Sequence, residues 1–158
     1  MQVYTGAMAR KTPDPAAELL GCTCKHLRMA TRRLSQIYDR HLAPVGVTIN
    51  QHSLLANLMA HDGIGLGAFA EKLVMDPTTL TRNLRPLQRQ RLVVLAPDPN
   101  DRRSRVLHLT DKGRAAFARA RPAWMKAQSQ IESAFGRADT AALHTTLQRL
   151  LDRLPQGA

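Results

Sequence analysis

The chain has 158 residues, of which 44% are hydrophobic, so one domain with a substantial core is expected. Lysine and arginine number 23 against 12 acidic residues; this net charge of +11 indicates a polyanionic partner, nucleic acid before an anionic membrane. The sequence has no apolar run near the length of a transmembrane helix, and two closely spaced cysteines without a visible signal peptide favour a cytoplasmic protein.

Residues 1–15 are polar, and we expect them to form a flexible leader. From Ala16 onward, apolar or small residues alternate at four- and three-residue spacing, a pattern typical of one stripe on a long helix. This first helix should end at Ala43-Pro44, because proline disfavours helical backbone in the residue before it.

Two shorter helices follow. Thr48, with Gln51 three residues later, forms a capping box and predicts a second helix over residues 49–61. Gly63 suits the left-handed backbone that closes a helix. A third helix is predicted over residues 67–74.

A fourth helix is predicted to begin at Asp76-Pro77 and to run to about Gln90, because aspartate is a good N-cap and proline is favoured at the first helical position. Pro86 lies inside it and should bend it. One face of this helix is expected to belong to the core through Leu80, Leu84 and Leu87.

The pattern then changes to that of strands. Residues 92–95 and 106–109 should form a hairpin with an arginine-rich tip. Thr110 then caps a long fifth helix over residues 111–135, and a last helix is predicted over 138–153. This order of elements predicts a mainly α fold with a small β-hairpin wing, a winged helix-turn-helix.

The other face of the fourth helix carries the residue types that read DNA. Small hydroxyl side chains let a helix enter the major groove and bond phosphates or bases, and arginine makes bidentate contacts to guanine. Seven arginines and three aspartates lie between Asp76 and Arg105, so positive charge is concentrated on the helix and the hairpin together. A solvated basic face is the alternative interpretation. The predicted DNA-contacting residues of the helix are Thr78, Thr79, Thr81, Arg82 and Arg85.

Two segments resemble a known family. Residues 76–84, DPTTLTRNL, are similar to the recognition helix of the MarR family of bacterial transcription regulators, and residues 101–113, DRRSRVLHLTDKG, resemble its wing signature. The topology matches over about 16–154. The resemblance implies a homodimer with a helical dimerisation region (16–46 and 111–154) and a DNA-binding lobe (47–110). It also implies a pseudo-palindromic operator in double-stranded DNA, with half-sites about one helical turn apart.

The resemblance assigns roles within the wing. Arg103 would enter the minor groove, with Asp101 as its orienting carboxylate, while Arg102 and Arg105 would contact phosphates. A narrow A·T-rich minor groove has a deeper negative potential, which attracts such an arginine. The sequence departs from the family at Pro86, and at the third helix, whose start at Gly65 lacks the commoner serine or threonine cap.

Family members are commonly released from DNA by a small phenolic or aromatic carboxylate ligand. Cationic, imidazole and hydroxyl groups would suit such an anion, and Leu55, Met59 and Trp124 could supply an apolar wall. Each residue also has a plain alternative as an exposed cation or a surface histidine. The candidate ligand-binding residues are Arg28, Arg32, Tyr38, His41, His52 and Met59.

A thiol switch is the alternative. Some MarR relatives sense organic hydroperoxides through a cysteine of the first helix, and Cys24 falls at that position, with Tyr38 where a partner tyrosine stands. The second partner tyrosine would fall at Ile49 and is missing. Cys24 could instead be a small core residue, the interpretation that we favour. Cys22 and His26 share a helix face, but one helix cannot gather both cysteines and this histidine on one ion, so no metal and no cofactor is predicted.

An enzyme is not expected. The pattern formed by Gly65, Gly67 and Ala70 lacks the preceding strand and the acid that dinucleotide binding needs, and no catalytic motif is present. The predicted function is therefore a ligand-responsive transcriptional repressor. The alternative from another class is a nonspecific architectural DNA-binding protein, which would lack sequence preference.

Overall fold

The computed structural model describes residues 20–99, 101 and 103–155. The predicted leader 1–15 therefore lies outside the described residues. The chain divides into two compact units, one that ends at Leu34 and one that begins at Ser35. The helices are α1 Thr23–Leu42, α2 Ile49–Ala60, α3 Leu66–Lys72, α4 Pro77–Arg89, α5 Asp111–Phe135 and α6 Arg137–Arg153; the strands are β1 Ile64–Gly65, β2 Val93–Pro97 and β3 Arg105–Leu109.

Local sequence signals position most helix ends. Thr48 caps α2 in a full capping box with Gln51, as predicted, and Thr110 caps α5 by accepting the N–H of Gly113 at 3.0 Å. The α1 helix ends at Leu42 and passes into a single 3-10 turn, Ala43–Val45, which contains Pro44. Gly63 adopts the predicted left-handed backbone with φ of +79°.

The sheet has three strands rather than the two predicted, in the order β1-β3-β2. The short β1 pairs antiparallel with β3, placing Ile64 opposite Leu107. The β2 strand extends to Pro97, which the sequence placed in the loop. Proline is tolerated there because β2 is an edge strand, where one side of the backbone has no strand partner.

The main core lies in the unit that begins at Ser35. Fully buried side chains from α2, α3, α4 and β3 meet there, with Phe69 the largest. The predicted core face of α4 is confirmed, since Leu80, Leu84 and Leu87 are at most 1% exposed. A second cluster joins Leu42 to Ala120 of α5. Among the described residues, none of the helices combines the length and the apolar character that crossing a bilayer requires.

Candidate nucleic-acid interface

The start of α4 is fixed by Asp76. Its Oδ1 accepts the N–H of Thr79 at 2.9 Å, while Pro77 occupies the first helical position. Hydrogen bonds from the Thr79 side chain and from its N–H lower the pKa of Asp76, so this carboxylate is ionised at neutral pH. The cap predicted from the sequence is confirmed.

The exposed face of α4 forms an open groove. The buried leucines hold one side of the helix against the core, so the opposite side faces solvent. Guanidinium groups lie there beside small hydroxyl side chains and a proline ring, a combination suited to contact with the major groove of DNA. The residues that line this groove, which we call the α4 groove, are Pro77, Thr78, Thr81, Arg82 and Arg85.

The three threonines of α4 differ in their exposure and in their hydrogen-bond partners. Thr79 is half-buried and engages the Asp76 cap through both its side chain and its N–H. Thr81 is exposed, but its hydroxyl donates back to the carbonyl oxygen of Pro77 at 2.8 Å. Thr78 is exposed in the same groove. The sequence grouped the three together, but only the structure shows which hydroxyls already have a partner.

The turn between α3 and α4 contains an unusual residue. The third helix ends at Lys72 rather than at the predicted Val74, because Val74 has a positive φ of 52°. The N–H of Val74 bonds to the Glu71 carbonyl at 3.0 Å, and that of Met75 to the Ala70 carbonyl at 2.9 Å. This is the Schellman pattern, in which glycine normally occupies the position of Val74.

Replacing Val74 with glycine should raise the free energy of unfolding by about 1 kcal/mol, since a β-branched side chain is strained in left-handed backbone. The Val74 side chain is 78% exposed, so its removal sacrifices little packing. Urea denaturation of both proteins measures the difference. Val74→Ala is the control and should recover less, because alanine keeps a Cβ. A glycine variant less stable than the parent would contradict this interpretation.

The tip of the wing is organised by Asp101. Its Oδ1 accepts the backbone N–H of Arg103 at 3.0 Å, and its Oδ2 accepts the Ser104 hydroxyl at 2.8 Å. The hydrogen bond from the Arg103 N–H lowers the pKa of Asp101 most, and the bond from the Ser104 hydroxyl lowers it further. Asp101 thus contacts the backbone of Arg103 and orients this arginine through the turn. Arg103 and Arg105 are exposed, and the predicted phosphate contact Arg102 lies outside the described residues.

The base of the wing is held by Asp62, which follows α2. Asp62 accepts the N–H of Leu109 at 2.9 Å and the Arg114 guanidinium at 3.0 Å, and His108 Nδ1 lies 3.4 Å from its carboxylate. Burial raises the pKa of Asp62, but the N–H of Leu109, Arg114 and His108 together lower it below its usual range. The carboxylate therefore links β3 to α5. The sequence does not reveal this contact, because Asp62 and Arg114 are far apart in the chain and neither belongs to a motif.

His52 is the most deeply buried of the predicted ligand-binding residues. It is 5% exposed, and its ring stacks on those of Phe117 and Trp124 at centroid distances of 5.0 and 6.0 Å. Among the described residues, its buried Nε2 atom has no hydrogen-bond partner. Burial lowers the pKa of His52, so the imidazole is neutral at pH 7.

The lowered pKa makes a prediction for stability. The unfolded chain binds a proton at His52 more readily than the folded one, so this residue costs stability as the pH falls through its unfolded value of about 6.5. We expect the melting temperature to decrease from pH 7.5 to pH 5.5, and to decrease less in His52→Phe, which keeps the stacking but does not titrate. Equal slopes in the two proteins would show that His52 contributes nothing to the pH dependence.

Three other candidate ligand-binding residues, Tyr38, His41 and Met59, belong to the same unit as His52. Tyr38 stacks on Trp124 at 6.3 Å and donates its hydroxyl to Gln128, and burial together with Glu132 raises its pKa. His41 Nε2 lies 2.8 Å from the side-chain oxygen of Gln130. Met59 is exposed. Leu55, predicted as part of an apolar wall, is fully buried in the main core.

The remaining candidates belong to the N-terminal unit. Arg28 and Arg32 are exposed on α1 and line a shallow groove with Cys24, Leu27 and Thr31. Cys22 and Cys24 are both free and exposed. The preferred interpretation of Cys24 as a core residue is therefore wrong for the single chain, because its side chain is exposed.

The class of protein follows from this arrangement: α3, the Val74 turn and α4 form a helix-turn-helix, and β2 and β3 form its wing. The chain belongs to the MarR family, whose model matches residues 45–104. The repressor CouR, solved on a 23-mer DNA duplex, is 30% identical, with 89% of this chain and 99% of that chain covered and a TM-score of 0.76.

Two curated relatives are also similar. One is a transcriptional regulatory protein assigned to the hcr operon of Thauera aromatica, 28% identical over 105 residues, or 66% of this chain. The other is the organic hydroperoxide resistance transcriptional regulator of Bacillus subtilis, 28% identical over 90 residues, or 57% of this chain. The chain spans 63% and 61% of the length of these two relatives.

Proposed function

We propose that the protein is a sequence-specific DNA-binding transcriptional repressor that acts in the cytoplasm, on the nucleoid. The observation that carries the proposal is the α4 groove, where Arg82 and Arg85 are exposed beside small side chains. The exposed Arg103 and Arg105 at the wing add a second basic element in the same unit. In this arrangement α4 reads the major groove, Arg103 enters the minor groove, and Arg102 and Arg105 contact phosphates.

A homodimer is the second part of the proposal. Its helical dimerisation region would comprise residues 16–46 and 111–154, and residues 47–110 would form the DNA-binding lobe. The support is the set of large apolar side chains left exposed on α5, on α6 and at the C-cap of α6, which a second copy would cover. Sedimentation equilibrium tests this directly, and a monomer at micromolar concentration would contradict it. The exposed side chains are Met125, Phe135, Leu143, Leu151 and Leu154.

The decisive experiment for DNA recognition is fluorescence anisotropy at fixed salt. The duplexes are the DNA upstream of the gene and a scrambled duplex of equal length and composition. A regulator should prefer a pseudo-palindromic operator by about 10³-fold or more. Equal affinities with a steep salt dependence would instead support a nonspecific architectural protein.

A small aromatic or N-heteroaromatic carboxylate or phenol is the effector that we propose, with release of DNA as its result. The Nε2 of His52, unpartnered among the described residues and beside aromatic rings, supports a ligand that stacks and hydrogen-bonds. The hydroxyl of Tyr38 is a second polar group beside the same tryptophan. The other candidates are His41 as a second imidazole, Met59 as an apolar wall residue, and Arg28 and Arg32 as cations.

Trp124 offers a direct test, because it is the sole tryptophan of the chain. Benzoate, salicylate and pyridine-3-carboxylate are titrated while tryptophan emission and DNA anisotropy are followed. A ligand beside His52 should change the emission and release the duplex at the same concentration. His52→Phe should weaken both effects. DNA binding that none of these acids alters, with unchanged emission, would remove this class of effector.

Peroxide sensing through Cys24 is the alternative. Cys24 is free and exposed, as access by a peroxide requires, and Arg28 and Arg32 lie beside it. The name of the Bacillus subtilis relative supports the same chemistry. The thiol would react with an organic hydroperoxide to give a sulfenic acid and an alcohol. Loss of DNA binding after cumene hydroperoxide treatment, prevented in Cys24→Ser, would establish this switch in place of the aromatic ligand.

A further inference from the structure

Thr81 stands in the α4 groove with its hydroxyl already engaged. The hydroxyl donates to the Pro77 carbonyl oxygen one turn earlier, at 2.8 Å, while the residue as a whole remains exposed. A hydroxyl has a single proton to donate, and here it is directed into the helix. The hydroxyl oxygen can still accept a hydrogen bond but has no second proton to donate, and the methyl group is the part of this exposed side chain available for apolar contact.

The surroundings of this methyl group define what it can recognise. The Pro77 ring lies in the same groove, and Arg82 and Arg85 complete its lining. In the major groove each base pair presents a distinct edge, and the apolar feature among these edges is the 5-methyl group of thymine. Cytosine and both purines present polar atoms or hydrogen at the corresponding place.

We infer that Thr81 is a specificity-determining residue that recognises one thymine in each half-site by packing its methyl group against the thymine 5-methyl group. This inference rests on the proposed function, because it requires α4 to enter the major groove. It differs from the sequence-based expectation that the threonine hydroxyls of α4 would bond phosphates or bases. Thr81 acts by apolar contact, and Arg82 and Arg85 supply the charged contacts beside it.

The test removes the thymine methyl without changing base pairing. An operator is first selected from random duplexes with the full-length protein. Each thymine of one half-site is then replaced singly by 2′-deoxyuridine, and the affinity is measured by anisotropy. At one position the substitution should weaken binding by about fourfold, the effect expected for one methyl group removed from a buried apolar contact.

Three variants assign that position. Thr81→Ser keeps the hydroxyl and its bond to Pro77 but lacks the methyl group, so its thymine-to-uracil affinity ratio should fall to about one. Thr81→Val replaces the hydroxyl by a methyl group, keeps the methyl group of the threonine, and should keep the ratio of the parent. Thr145→Ser is the matched control, because Thr145 also donates its hydroxyl back along its helix, to Ala141 at 3.1 Å, but lies in α6. Its ratio should equal that of the parent.

The outcomes separate the inference from the proposed function. A selected operator that binds tightly, but in which no uracil substitution matters, overturns the thymine contact alone. A sensitive thymine whose ratio is unchanged in Thr81→Ser also overturns it, since another residue then contacts that methyl group. If the protein binds every duplex alike, the proposed sequence-specific function fails, and the inference fails with it.

Discussion

Gly113→Ala should lower the free energy of unfolding by about 3 kcal/mol, a large effect for one added methyl group. A Cβ at Gly113 would lie 2.1 Å from the Leu92 carbonyl oxygen and 2.7 Å from a methyl carbon of Leu109. The first of these contacts is with backbone, which has no alternative rotamer. Either α5 or the start of β2 must therefore move.

The surrounding hydrogen bonds explain why such a movement is costly. Thr110 donates its N–H to the Leu92 carbonyl at 3.1 Å and its hydroxyl to the Arg91 carbonyl at 2.8 Å. The same Thr110 hydroxyl oxygen accepts the N–H of Gly113. A movement of α5 that makes room for the added methyl group would therefore strain both the Thr110 cap of this helix and the bond from Thr110 to Leu92.

Urea denaturation, monitored by circular dichroism, measures this loss. Gly67→Ala is the matched control, because Gly67 lies in α3 with no atom within 4 Å of an added Cβ. That substitution should stabilise the protein by up to about 1 kcal/mol, since alanine favours helix more than glycine does. If both alanine variants had similar stabilities, the close approach at Gly113 would have no energetic consequence.

Arg103→Ala should weaken operator binding by about 1–3 kcal/mol, by analogy with the loss of a groove contact. Arg103 is exposed at the wing tip, and Asp101 fixes its backbone, so the guanidinium is presented from an ordered turn. The loss should be largest when the flanking DNA is A·T-rich, since a narrow minor groove attracts arginine most strongly.

Net charge alone also affects DNA binding, so the matched control removes the same charge elsewhere. Arg149 is exposed on α6, and Arg149→Ala should change the affinity little. Anisotropy titrations at several salt concentrations measure both variants. An Arg103→Ala protein that binds as tightly as Arg149→Ala would exclude Arg103 as the residue that reads the minor groove.

Local sequence signals predicted the helix caps correctly. The caps at Thr48, Asp76 and Thr110 each depend on residues three positions apart, and all three are present in the structure. The same holds for the buried leucines of α4, whose spacing follows the helical period.

The features that could not be predicted from the sequence depend on contacts between distant residues or on side-chain and backbone geometry. The two-residue strand β1 exists because Ile64 and Gly65 pair with β3, and so short a segment has no pattern of its own. Val74 ends α3 in left-handed backbone, a conformation that favours glycine. A valine at this position therefore gives no sequence signal for the end of the helix. The partners of the threonine hydroxyls in α4 depend on side-chain rotamers, which the sequence alone does not determine.

The contacts of Asp62 have a mechanical consequence. Arg114, which pairs with Asp62 below the wing, and Trp124, which stacks on His52, are both side chains of α5. They stand about 15 Å apart along the helix axis. A molecule that displaces the ring of Trp124 would act on the same helix whose Arg114 is bound, through Asp62, to β3. Such a displacement would reach β3 through Arg114 and Asp62 although no atom of the wing touches that molecule.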